Sequence, residues 1–420
     1  MNDLHKNIPR LQTPHLKRVL GDFPVVVLQG ARQTGKTTLA QMPDIGGTRS
    51  YLSLDDLDVR EQARRAPSSL FIGRQQITLD EVQRQPDILL AIKSDVDRTK
   101  KPGRFLLTGS ANLLLMKHVS ESLAGRAVYF YLPTLTWAEL EQRSFGAGLD
   151  LLLSVKTAEK ALAGLRGDVS KPVRPLGGAV FCGGYPVPSL SKDDAFRARW
   201  FDGYIQTYLE RDLRTLTATE NLIEFRRLMQ LCAARNARTL NIASLAHDAA
   251  LSTATVRRYL SILEISFQIA RIPAYSVNRG KRLIKASKLY WTDTGLAAHL
   301  AGIFTRESLV KAHEFGLWVE NWVAVHLLAY VSLTTPRAAL YHWRTSNGEE
   351  VDFVLEQGRR LVPIEVKTTE QPTGRDIKGL ESFLTTYPEA PFGVLACRCR
   401  EPSALSGNII ALPIEHLLLT

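Results

Sequence analysis

Cysteine is scarce, with four residues among 420: Cys182, Cys232, Cys397 and Cys399. Only the last two are close, as CRC, and no second Cys/His pair completes a zinc spacing. A structural zinc is therefore not expected, and the cysteines read as reduced, structural thiols. Long apolar runs are missing too, so no segment reaches membrane-spanning length. The charged N-terminal stretch meets its first strand by Val25, which leaves no room for a signal peptide. The expectation is a cytoplasmic protein with no membrane partner. Acidic residues are outnumbered, 42 Asp and Glu against 53 Lys and Arg, for a net charge of +11. That excess favours a polyanionic partner, nucleic acid before membrane, with a generally basic surface as the alternative. Internal repeats and low-complexity tracts are also missing. A chain this long exceeds one ordinary core, so two to three domains are expected.

What is present begins with LQGARQTGKT, residues 28–37, directly behind the apolar run FPVVV. Two glycines behind a buried strand cost conformational entropy and add no packing, so something needs the bare backbone. GARQTGKT fits G-x-x-x-x-G-K-[ST], with Gly30, Gly35, Lys36 and Thr37 in place. In such a loop successive residues, here Gly30, Ala31, Arg32, Gln33, Thr34, Gly35, Lys36, Thr37 and Thr38, wrap phosphate oxygens. The helix-forming TTLAQM that follows adds its N-terminal partial positive charge. Lys36 would reach the β- and γ-phosphates, and the Thr37 hydroxyl would ligate Mg²⁺.

A nucleotide site needs more than a cradle. Downstream, RQQITLDEVQ is an apolar strand ending in Asp80 and Glu81. Asp80 is placed to hold the Mg²⁺ shell and Glu81 to polarise the attacking water. The next strand, RFLLTGS, ends in Thr108 and Ser110, where a polar residue such as Ser110 could sense the γ-phosphate or simply cap a helix. SLAGRAVYFYLPTLTWAEL then offers Arg126, either as an arginine finger reaching a neighbouring subunit or as the partner of a surface carboxylate.

The stretches LQGARQTGKTT, ITLDEVQ, FLLTGSANLLL and SLAGRAVYFYLPTLTWAEL resemble the prokaryotic AAA-like P-loop ATPases with a C-terminal domain of unknown function. The resemblance continues through GGYPVP, YIQTYLERDL, KLYWTDTGL and EVDFVL…IEVK, nearly the whole chain. It implies a RecA/AAA-like core with an extra strand inserted between the two Walker motifs, ATP with Mg²⁺ as cofactors, and ATP hydrolysis. A homo-oligomeric ring is the assembly expected.

The P-loop core is expected over residues 1–140, followed by lid or connector helices over 141–222. The aromatic stripe Phe196, Trp200, Tyr204, Tyr208 and Leu209 reads as core. Residues 223–300 have helix-turn-helix proportions, with IASLAHDAA and TATVRRYLSILE as the helix pair and two strands around NRGKR as a wing. Leu245, Ala246, Val256, Leu260 and Leu263 would pack the pair. The turn position usually given to glycine is Ala250 or Leu251, which predicts a looser turn. In a DNA reader Ser252, Thr253, Thr255, Arg257 and Arg258 would face the groove, and Arg279, Lys281, Arg282 and Lys285 would meet phosphates. Protein docking or an oligomer spacer is the competing role.

Residues 301–420 carry a helix, WVENWVAVHLLAY, with Glu320 amid apolar residues, then three antiparallel strands joined at NG and QG. By the two-residue period, Asp352 points away from Val351 and Phe353, and Glu365 and Lys367 share a face. Two carboxylates can hold Mg²⁺ against a phosphate and a lysine can orient water, so Asp352, Glu365 and Lys367 are candidates for phosphodiester hydrolysis. EVDF followed by IEVK resembles the restriction-endonuclease-like motif, in which a helical acid, here Glu320, assists. The fold class expected is α/β: a P-loop core sheet flanked by helices, then a winged helix and a restriction-endonuclease-like domain. The leading function is a Mg²⁺-dependent ATPase that engages or remodels DNA. The alternative is a nucleotide-dependent switch or assembly module that docks a protein.

Overall fold

In the computed structural model, residues 8–109, 123–165, 167, 171–208, 221–278, 280, 282 and 285–420 are described. They divide into two compact units, one formed by Pro9–Thr134 with Leu263–Gln268 and the other by Leu135–Ile262 with Ile269–Thr420.

Five consecutive buried residues make β1 (Val25–Gln29), the pattern of a strand covered on both faces. With β2 (Ser50–Ser53), β3 (Ile77–Asp80), β4 (Phe105–Gly109) and β5 (Ala127–Tyr131) it forms a sheet of order β2-β3-β4-β1-β5. Every pairing in it is parallel. Alternation divides the sheet's side chains between two cores. Val25, Val27, Ile77, Leu79, Phe105 and Leu107 pack on one side with Ile88 and Ile92 of the helix Ile88–Thr99. Val26, Leu28 and Leu106 pack on the other with Leu16, from Thr13–Asp22, and Leu39, from Lys36–Gln41. β4 lies between β1 and β3, which is the inserted strand the resemblance implies. It sets the P-loop and Asp80 one strand apart, at the carboxyl ends of their strands, where open parallel sheets bind ligands.

In the second unit, Tyr204 and Tyr208 of the aromatic stripe are buried, whereas Phe196 and Trp200 are half-buried, Trp200 stacking on Tyr204 with ring centroids 5.3 Å apart. Leu209 lies outside the described residues. Helices Leu222–Ala234, Ile242–Ala249 and Thr253–Ile265 alternate with a small antiparallel sheet of order β6-β8-β7, whose first strand lies between the first two helices. Its strands are β6 (Arg238–Thr239), β7 (Ile269–Ile272) and β8 (Lys288–Trp291). Leu245, Ala246, Val256 and Leu260 are buried at the helix pair, as expected. The turn between the helices is not loose. Ala250 adopts the left-handed conformation at φ 54°, and Leu251 N–H donates to Ala246 O at 2.9 Å, closing the turn without glycine.

The C-terminal sheet has the order β13-β14-β12-β11-β10-β9. It comprises β9 (Ala339–Arg344), β10 (Glu350–Gln357), β11 (Arg360–Val366), β12 (Gly393–Cys397), β13 (Ser403–Ser406) and β14 (Ile409–Pro413). β9, β10 and β11 are antiparallel, as the alternation and the NG and QG turns predict. The small sheet is stitched to this one: His342 N–H donates to Pro273 O at 3.0 Å, and Tyr275 N–H donates to His342 O at 2.6 Å. The boundaries expected near residues 222 and 300 therefore fall inside one compact unit.

Candidate functional site

The P-loop follows β1 and ends at the helix Lys36–Gln41. A Cβ at Gly30 would stand 2.3 Å from Leu132 O, so no other residue fits the close approach to the end of β5. Gly35 takes φ 92°, a conformation L side chains rarely adopt. Lys36 Nζ donates to the loop's own carbonyls, Gly30 O at 2.9 Å and Ala31 O at 2.7 Å. The Thr34 hydroxyl donates to Ala31 O at 3.0 Å. Arg10, buried, clamps the loop from outside by donating to Thr34 O and Pro133 O, each at 2.7 Å.

Asp80 ends β3 and is buried. Its Oδ2 accepts from the Thr37 hydroxyl at 3.1 Å and from the Tyr51 hydroxyl at 2.6 Å. Its Oδ1 accepts from Thr108, whose hydroxyl also accepts the Glu81 N–H at 3.3 Å. Burial and the adjoining Asp80 carboxylate push the Tyr51 phenol well above its ordinary value, so it remains a donor. Glu81 sits in the left-handed region at φ 57°, a cost for a non-glycine residue that the Thr108 contact helps hold. Thr37 and Asp80 thus converge hard oxygen donors beside the phosphate cradle, a set that fits Mg²⁺ when waters and phosphate complete the shell.

Ser110 lies outside the described residues. The polar group that β4 brings to Asp80 is Thr108. Arg126 is half-buried and bound to Asp97 through two hydrogen bonds, at 2.5 and 2.9 Å. It thus has the surface carboxylate that was the alternative to a finger.

A second cluster lies in the C-terminal unit. The β10–β11 register pairs Phe353 with Ile364, so Asp352 and Glu365 face each other. Asp352 N–H donates to Glu365 Oε2 at 3.3 Å, Val366 N–H donates to Asp352 Oδ2 at 3.0 Å, and Lys367 donates to Glu365. Glu320, from the helix Phe315–Leu333, joins them as expected, but through a residue the sequence did not single out. Lys288 Nζ donates to Glu320 Oε1 at 2.9 Å and to Asp352 Oδ1 at 3.0 Å, and pairs with Glu350. Tyr290, two residues along β8, donates its hydroxyl to Glu320 at 2.5 Å. Burial and the Asp352 charge push Glu320 up to about 8, and the same causes raise Glu365. Against burial, Lys288 and Lys367 hold Asp352 below its ordinary value, and the carboxylates hold Lys288 well above its own. Removing one partner from a buried network of this kind costs about 3–5 kcal/mol, because the remaining charges stay buried.

The cluster opens on a cleft of about 680 Å³ whose lining includes Arg238, His313, Arg344 and Lys367. Among the described residues no three His, Cys, Asp or Glu side chains group as metal ligands would. Asp352 and Glu365 are thus brought together, but their oxygens are already engaged by Lys288, Lys367 and backbone N–H groups. As arranged, they do not fit the Mg²⁺ site expected of them.

Of the residues expected to face the groove, Ser252, Thr253, Arg257 and Arg258 are exposed and Thr255 is half-buried, and of the expected phosphate contacts Lys285 is exposed. Arg279 and Lys281 lie outside the described residues. Arg282 departs from expectation. Its guanidinium donates to Glu356 at 2.8 and 3.1 Å and lies 4.5 Å from the ring centres of both Tyr275 and Tyr341. A cation so committed inside its own unit does not present itself to a phosphate.

Residues 22–141 match the AAA domain family, residues 176–307 a domain of unknown function (DUF8612), and residues 315–417 another (DUF4143). The chain is 31% identical over 408 residues to the uncharacterized protein Rv2008c of Mycobacterium tuberculosis (strain ATCC 25618 / H37Rv), covering 96% of this chain and 83% of that protein. The same figures hold for the uncharacterized protein Mb2031c of Mycobacterium bovis. Among solved structures, it is similar to a Walker-type ATPase of Pyrococcus abyssi at 14% identity and a TM-score of 0.43, covering 70% of this chain and 96% of that one. It is also similar to RuvB of Thermotoga maritima at 17% identity and a TM-score of 0.27, covering 65% and 91%. No helix among the described residues is long and apolar enough to cross a membrane.

Proposed function

The chain belongs to the family of these mycobacterial proteins and carries an AAA-type P-loop ATPase domain, and from that premise we propose that it binds MgATP and hydrolyses it to ADP and phosphate. The observation that carries the proposal is the convergence of the Thr37 hydroxyl and the Asp80 carboxylate, 3.1 Å apart, beside a loop whose lysine rests on its own carbonyls. Lys36 exchanges Gly30 O and Ala31 O for the β- and γ-phosphate oxygens, so its charge lands where charge builds up in the transition state. Thr37 and Asp80 hold the metal, which neutralises phosphate charge when bound. Glu81 orients the attacking water, and Thr108 fixes Asp80 and Glu81 relative to each other. Steady-state hydrolysis decides it. Lys36→Ala should lose turnover, and Glu81→Gln should bind ATP without turning it over. Turnover at the parental rate in both variants would sink the proposal.

A second reading concerns what the ATPase acts on. On the helix Thr253–Ile265, Thr253, Arg257 and Arg258 are exposed opposite buried Val256, Tyr259 and Leu260, which favours an outward basic face. With the net charge of +11, that face supports engagement of DNA through backbone phosphates. Arg257→Glu with Arg258→Glu should weaken DNA binding and flatten its salt dependence. Unchanged affinity and slope would favour a protein-docking switch instead.

A further inference from the structure

Lys288 is an unusual place for a charge. Its side chain is 4% exposed, on a strand paired on both sides, with Ile272 on β7 and Thr239 on β6. A lysine is almost never buried this way unless its ammonium is paired. Here it meets three carboxylates from two elements: Glu320 on the helix, and Glu350 and Asp352 on β10.

We infer that the Lys288 ammonium is the resident cation of the C-terminal acidic centre, and that it excludes a divalent metal from Asp352, Glu320 and Glu365. The occupancy is geometric. Mg²⁺ needs oxygen ligands at about 2.0–2.1 Å in a nearly octahedral shell. Such an ion between Asp352 and Glu320 would compete with Lys288 Nζ, which holds Asp352 Oδ1 at 3.0 Å and Glu320 Oε1 at 2.9 Å. The other Asp352 oxygen accepts from Val366 N–H, and Glu365 accepts from Asp352 N–H and Lys367. Each carboxylate the metal would need already accepts from at least one donor, and Asp352 does so on both oxygens.

Nor can the ammonium swing aside cheaply. Its Cα is fixed by the β6-β8-β7 ladder, and the neighbouring Trp291 is locked to Asn321 by a reciprocal pair of hydrogen bonds, each 2.8 Å. Moving Lys288 away would strip Glu320 of a hydrogen-bond donor and the β10 carboxylates of their counter-ion. A ligand entering the cleft therefore meets an ammonium and not a metal. Hydrolysis by metal-activated water does not operate at this centre, whatever becomes of the ATPase assignment.

The test titrates Mn²⁺ into the nucleotide-free full chain by calorimetry, comparing wild type, Asp352→Asn, Lys288→Met and the double variant. All four retain the P-loop, so Mn²⁺ taken up there cancels. Wild type and Asp352→Asn should take up the same amount. Lys288→Met should gain one Mn²⁺ per chain, and the double variant should lose it again. Mn²⁺ bound by wild type but not by Asp352→Asn would overturn the inference, as would a folded Lys288→Met that gains none. Should Lys288→Met fail to fold, the wild type and Asp352→Asn pair still decides, supported by incubation with single-stranded and linear DNA in Mn²⁺. Cleavage by wild type that disappears in Asp352→Asn overturns the inference, and its absence with equal Mn²⁺ uptake upholds it.

Discussion

Thr108 and Asp80 are joined hydroxyl to carboxylate at the ends of neighbouring parallel strands, and the same hydroxyl accepts the Glu81 N–H at 3.3 Å. One side chain of β4 therefore positions both acidic residues of β3's tip. The inserted strand is part of the site's construction and not only a spacer between the two motifs.

Thr108→Val keeps the shape and removes the hydroxyl. ATP affinity should stay within about threefold, since the P-loop is untouched, while turnover falls about 10–100-fold, the usual effect of removing an outer-shell partner. Nucleotide binding measured beside turnover separates the two. Equal losses in both would mean Thr108 merely supports the fold.

The P-loop was legible because its chemistry is local: Gly30 and Gly35 are where backbone geometry leaves no alternative, and Lys36 and Thr37 follow at fixed offsets. Asp352, Glu365 and Lys367 were legible for a similar reason, since the strand period and two turns fix their register. Tyr51, Arg10 and Lys288 were not. Tyr51 is 29 residues from Asp80, and Lys288 is 64 from Asp352, so only the folded sheets bring them together. Arg282 departs from its expected role because the sequence around a charge does not announce a distant partner, here Glu356, 74 residues away. Ala250 was misjudged because glycine is favoured in the left-handed conformation, not required for it.

That turn makes a stability prediction. Ala250→Gly relieves the Cβ clash of the left-handed conformation, worth about 1–2 kcal/mol, against an entropic cost of roughly 0.5–1 kcal/mol. The variant should be more stable by up to about 1.5 kcal/mol in urea unfolding. A lower midpoint would mean that the Ala250 methyl contributes packing.

Arg126 and Asp97 offer a clean pair of substitutions. Asp97→Asn weakens the ion pair and leaves the guanidinium in place, whereas Arg126→Ala removes it. If Arg126 serves the ATPase of a neighbouring subunit, Arg126→Ala lowers turnover and Asp97→Asn does not. Mixing Arg126→Ala with Glu81→Gln subunits should then restore activity, because each supplies what the other lacks. Equal effects of the two substitutions would reduce Arg126 to the surface pair it forms with Asp97.

The buried titratable groups set opposite slopes on stability against pH. Glu320 is pushed by burial and by Asp352 from 4.5 up to about 8, so the folded chain keeps a proton that the unfolded chain releases. Its contribution is complete below pH 4.5, shrinks as pH rises and is gone once pH passes about 8. His326 runs the other way. Burial lowers it from 6.5 to about 4, and the neutral ring accepts the Trp137 N–H at 2.7 Å, so its contribution is complete above pH 6.5 and lost as pH falls toward 4. Glu320→Gln keeps an oxygen acceptor for Lys288 and Tyr290 but cannot ionise. The urea midpoint of this variant should fall less than the wild type's between pH 5 and about 8.5, while the acid limb set by His326 stays unchanged. Glu365, raised by burial and Asp352, leaves a residual alkaline slope in the variant. Superposable profiles for the two proteins would mean that Lys288 already holds Glu320 ionised throughout this range, and the alkaline limb would then belong to Glu365.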